Sequence, residues 1–128
     1  MVAWSTLDDL AGLPAGVVPV ARPVDVVGLE ARCDARGRPM VLLDTGGVTD
    51  KDGFMDAVSE AQRLPGWFGR NWDALGDCLS DVPASTVLVW DGWTQMARRV
   101  PRETEVAIEV LAESGLTVLM VNAPEDES

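Results

Sequence analysis

Three short, largely apolar runs, Met40 to Leu43, Thr86 to Trp90 and Leu116 to Val121, interrupt an otherwise mixed pattern along the chain. A strand that is apolar at nearly every position is covered on both faces, which is the condition of a parallel sheet packed under helices. Between these runs the apolar residues recur every three or four positions. Thr49 or Asp50 can cap a helix from about Asp52 to Arg63 with Phe54, Val58 and Ala61 on one face, and Leu64-Pro65-Gly66 stops it. Asn71 caps a second helix to about Val82, whose inward stripe is Trp72, Leu75, Leu79 and Val82. Trp93, Met96, Ala97 and Val100 describe a short third helix. Pro101 breaks that pattern and opens a fourth helix, Arg102 to Ser114, with Val106, Ala107, Val110 and Leu111 inward and Gly115 at its end. The pattern predicts an α/β domain: a small three-stranded parallel sheet packed with about four helices.

Residues 1–38 read differently. Pro14, Pro19 and Pro23 punctuate short Val-rich pieces, so no long regular element is expected before Val24. From Leu29 to Asp34 polarity alternates, which predicts a half-exposed strand over about Val26 to Cys33, with Ala35-Arg36-Gly37-Arg38 turning into the next strand. This N-terminal extension reads either as an added strand or edge hairpin, or as a leader with no role beyond covering a sheet edge. Residues 39–123 form the expected domain, and 124–128 an acidic tail.

Composition narrows the chemistry. The 128 residues include 21 Asp and Glu against 10 Lys and Arg, a formal charge of −11, with no histidine, no tyrosine and a single lysine, Lys51. The usual general base, the histidine-assisted Ser and Cys nucleophiles and histidine metal ligation are therefore excluded. So acidic a chain disfavours direct contact with nucleic acid or an anionic membrane and favours a basic protein partner. Cys33 and Cys78 are too few and too far apart for a disulfide framework or a thiolate zinc site, so a reduced, cytoplasmic protein without cofactor or metal is expected. Residues 1–16 carry neither a basic cluster nor a continuous apolar run, and no segment reaches the ~20 apolar residues of a membrane span.

The helix that begins at Asn71 carries charge where none is needed for folding. Asp73 and Asp77 are four apart and project side by side, opposite Trp72, Leu75 and Leu79, and Asp81 extends the row. Like charges at that spacing cost a helix roughly 0.2–0.5 kcal/mol, partly offset for Asp73 by the positive end of the helix dipole. No Lys or Arg lies between Arg70 and Arg98, and Gly76 leaves bare backbone between the carboxylates. Just before the helix, Trp67 and Phe68 sit in a glycine-flanked turn. An aromatic beside uncompensated carboxylates is the composition of a hot spot aimed at a basic cleft.

The segment Leu64-Pro65-Gly66-Trp67-Phe68-Gly69-Arg70-Asn71-Trp72-Asp73-Ala74-Leu75-Gly76-Asp77-Cys78-Leu79 closely resembles the barstar family of ribonuclease inhibitors. The resemblance runs from about Pro39 to Asn122 and implies a non-catalytic protein that inserts the loop and second helix into the active site of a basic ribonuclease as a heterodimer. It implies Asp77 as principal anchor, Asp73 as its neighbour and Trp67 as the aromatic over the cleft, within a partner-facing set of Trp67, Phe68, Gly69, Arg70, Asn71, Asp73, Gly76, Asp77 and Ser80. Three departures from the family pattern stand out. Gly76 replaces the tryptophan of the best-known member, Arg70 adds a positive charge, and the family's glutamate on the last helix falls at Val110 unless a one-residue shift brings in Glu109.

Two other motifs compete. Val41-Leu42-Leu43-Asp44-Thr45-Gly46 has the form of a retropepsin-type aspartic protease site, but the helical segments are foreign to that all-strand fold. The Asp44-Thr45-Gly46-Gly47 turn could cradle a phosphate, but Lys51 is followed by Asp52 rather than Ser or Thr. An immunity protein or antitoxin against a different basic toxin would use the same acidic helix.

Overall fold

The computed structural model describes residues 16–20, 25–62 and 71–121. Among them the elements run β1 (Gly16–Pro19), α1 (Val26–Ala35), β2 (Met40–Asp44), α2 (Lys51–Gln62), α3 (Trp72–Ser80), β3 (Val87–Asp91), α4 (Trp93–Arg99), α5 (Pro101–Glu113) and β4 (Thr117–Met120). All strand pairs are parallel and the order across the sheet is β1-β4-β3-β2.

The sheet has four strands where the apolar runs predict three. The extra one is β1, paired with β4 from Gly16 opposite Thr117 to Pro19 opposite Met120. Gly16 and Val20 donate their amides to Leu116 and Met120, so the row of even-numbered residues faces β4. Pro19, which has no N–H, therefore sits in the outward row, where a missing donor costs the ladder nothing.

The strand expected over Val26 to Cys33 is instead α1, and no hairpin forms there. Leu29 and Cys33 are both fully buried, and four residues is a helical repeat as well as an even strand interval. A strand would have placed Val27 on their face, yet Val27 is 80% exposed. The expected turn at Ala35 to Arg38 does form, as the close of α1. Gly37 takes the left-handed conformation (φ 67°), its N–H bonds the Asp34 carbonyl, and the Arg38 N–H reaches back to Cys33, a Schellman ending.

Helices cover both faces of the sheet. Val87 and Val89 of β3 and Leu119 of β4 meet Leu29 and Cys33 of α1 on one side, together with Val18 and Val121. Their alternate neighbours Leu88, Trp90, Val118 and Met120 meet Phe54, Met55, Val58, Leu75, Leu79, Met96, Ala107 and Leu111 on the other. Both sets of strand neighbours are thus dry, which is why these runs lack alternation.

The Asp44-Thr45-Gly46-Gly47 turn is built into this frame. Asp44 Oδ1 accepts the Gly46 amide (2.9 Å), Trp90 Nε1 donates to Thr45 Oγ1 (2.9 Å) and Arg99 Nη1 donates to the Gly46 carbonyl (2.6 Å). Asp44 thereby holds its own turn, and the Gly46 N–H that a phosphate would need is already taken.

Candidate functional site: the exposed face of α3

Asn71 adopts an extended conformation at the N-cap, and its Oδ1 accepts the Ala74 amide at 2.8 Å. That satisfies one of the orphan donors of the first turn and fixes where α3 starts. Leu75, Cys78 and Leu79 are buried, which sets the rotation of the helix. Trp72 is half-buried, with its ring 5.5 Å from Phe54, which in turn stands 6.0 Å from Trp90. An aromatic series thus ties the first turn of α3 to the centre of the sheet.

With the apolar stripe anchored, Asp73, Asp77, Ser80 and Asp81 are exposed on the opposite side, and Gly76 is half-buried between them. Among the described residues neither Asp73 nor Asp77 forms an ion pair. Asp81 occupies the C-cap, where a carboxylate meets the negative end of the dipole and is mildly unfavourable. The Ser80 hydroxyl donates to the Asp77 carbonyl (2.7 Å). Burial, reinforced by Asp81 and then Asp77, pushes the Cys78 thiol above its ordinary pKa, so it stays protonated beneath the acidic row.

The structure thus brings Asn71, Asp73, Gly76, Asp77 and Ser80 onto one short helix. Trp67, Phe68, Gly69 and Arg70 lie outside the described residues. Among the described residues no group of three or more His, Cys, Asp or Glu side chains could hold a metal ion, and no helix is long and apolar enough to cross a membrane.

Sequence reasoning missed one feature. A groove of about 270 Å³ separates α3 from α5, lined by Trp72, Asp73, Gly76 and Ser80 on one side and Val110, Glu113 and Ser114 on the other. Among the described residues a Cβ placed on Gly76 would meet nothing within 4 Å, so the missing side chain leaves the space open. Val110, expected to point inward, is only half-buried at this opening, and Glu109 is exposed but is not part of the lining. The only available signal was the three-residue step from Val110 to Glu113 on α5.

No curated protein matches this chain. A family model described as Barstar (barnase inhibitor) matches residues 38–119, close to the span of the resemblance in the sequence. The match begins after α1 and contains β2, β3, most of β4 and all of α2 to α5. With nearly two thirds of its length matched, and the acidic helix inside the matched part, the chain belongs to the Barstar family.

Proposed function

We propose that this chain is a non-catalytic cytoplasmic inhibitor that seats the acidic face of α3, together with the aromatic turn before it, in the active site of a basic ribonuclease. A ribonuclease must hold phosphates with Arg, Lys or protonated His, and carboxylates fixed on a folded protein neutralise those groups while offering no bond to cleave. Substrate is excluded by occupancy. The observation that carries this reading is the exposure of Asp73 and Asp77 on a helix whose opposite face is locked by buried Leu75, Cys78 and Leu79. Such preorganisation removes much of the ordering cost of binding. One heterodimer per inhibitor would protect the producing cell from its own enzyme.

The glycine at position 76, in the middle of this face, favours a second reading as an immunity protein for a different basic toxin. Titrating the protein against a panel of purified secreted basic ribonucleases, read by calorimetry and RNA-cleavage inhibition, separates the two. A one-to-one complex that blocks cleavage, and that Asp77→Ala weakens, supports the inhibitor. Absence of binding across the panel, or binding that leaves cleavage intact, refutes it.

A further inference from the structure

The two outer strands of the sheet present different edges. On one side β1 carries Pro19 in its outward row, one of the devices by which sheet edges resist pairing. On the other side stands β2. The Pro39 carbonyl accepts the Val87 amide and the Thr45 amide donates to the Asp91 carbonyl, so the odd-numbered residues of β2 face β3. The backbone amides and carbonyls of Met40, Leu42 and Asp44 therefore point outward, and among the described residues no strand lies beyond them. Leu42 is 44% exposed, and Ala57 and Ala61 of α2 are small enough to leave a groove of about 230 Å³ beside it.

We infer that β2 pairs with β2 of a second copy of this chain, antiparallel, about a two-fold axis at Val41. The occupant follows from the order of residues along the edge. Arg38, Met40, Leu42 and Asp44 read basic, apolar, apolar, acidic, so the row laid antiparallel on itself sets each residue against its complement. Met40 of each copy exchanges both backbone bonds with Leu42 of the other, the two side chains meet, and Arg38 comes opposite Asp44 at either end. An axis at Leu42 instead would lose the opposed charges. The contact is isologous and closes at two copies, because the far edge of each sheet carries Pro19. The groove beside this edge is walled by α2, whereas Asp73 of the acidic helix opens toward α5, so the inference stands independently of the inhibitor reading.

Sedimentation equilibrium of the full chain without any ribonuclease, from micromolar to millimolar protein, tests the pairing, with amide hydrogen exchange as the local readout. The expected result is a reversible monomer–dimer equilibrium with no larger species, in which exchange at Met40, Leu42 and Asp44 slows as dimer forms while Val17, in the outward row of β1, is unchanged. Each copy has a formal charge of −11, so added salt strengthens the dimer, the reverse of its effect on association with a basic enzyme. Leu42→Lys lowers the net negative charge yet weakens the dimer at least tenfold. Leu42→Pro removes an outward amide while the bonds to β3 remain, and gives a monomer with the native circular dichroism. A monomer at millimolar concentration, a dimer that Leu42→Lys retains, or protection that arises away from β2 overturns the pairing. None of these outcomes alters the result of the ribonuclease panel.

Discussion

The side-chain oxygen of Asn71 accepts the backbone amide of Ala74, one residue beyond Asp73, so the cap and the carboxylate share the first turn of α3. Replacing Asn71 with Ala removes the acceptor and leaves that amide to solvent. The expected loss is about 1 kcal/mol of stability in urea denaturation. Because the first turn frays, partner affinity falls as well, whereas an equally conservative change on the far side of the sheet, Val27→Ala, leaves it unchanged. Loss of stability with intact affinity would show that the turn does not need to be preset.

Charge steering predicts how association responds to salt. A chain of charge −11 approaching a basic enzyme associates faster at low ionic strength, and the advantage is screened over a Debye length of ~8–10 Å under physiological conditions. Stopped-flow association should slow at least tenfold between low and high salt. Asp77→Ala should act chiefly on dissociation, at a cost of about 2–5 kcal/mol, the general range for desolvated interfacial charge pairs and one established in part on complexes of this same family. A salt-independent association rate contradicts steering.

Gly92 is the fixed point of the turn region. It has φ 76°, it is buried, and a Cβ there would collide with the backbone of Gly46. Gly92→Ala combines a disfavoured conformation with a backbone clash, and should destabilise the fold by about 3 kcal/mol or more. Gly47→Ala, at a position with no neighbour within 4 Å, is the matched control and should cost far less. Equal denaturation midpoints for the two variants would refute the close approach.

Alkaline stability should report on the thiols. Burial raises both Cys33 and Cys78, and the chain contains no tyrosine or histidine to complicate the titration. A thiol whose folded pKa exceeds its unfolded value stabilises the fold fully below the unfolded value, near pH 8.5, and loses that contribution as pH rises through the folded value. Urea midpoints should therefore fall above about pH 8.5, and the fall should shrink in the Cys33→Ala, Cys78→Ala double variant. A wild-type curve that stays flat to pH 10 contradicts this.

The acidic helix was legible because each determinant is local: the Asn71 cap, the Trp72, Leu75 and Leu79 spacing, and the outward row of Asp73 and Asp77 all lie within ten residues. The extension was half legible. Leu29 and Cys33 fit a strand or a helix equally well, and only the exposure of Val27 and the Gly37 ending distinguish them. That the extension could add a strand was legible, but the place of β1 was not, since a few residues between prolines carry no period and the partner that orders them lies about a hundred positions away. The same distance effect hid the groove between α3 and α5, whose walls come from helices about thirty residues apart.

The pairing of β1 with β4 also bears on how the molecule comes into being. Gly16 is made about a hundred residues before Thr117, so the first strand has nothing to pair with until β4 has been synthesised. Parallel ladders closed over so long a loop form slowly, since the entropy of closure must be met before any contact rewards it. During that interval the apolar edge of β4 is uncovered as each new chain leaves the ribosome. Shortening the stretch ahead of β2 would alter the yield of folded protein before it altered the exposed face of α3.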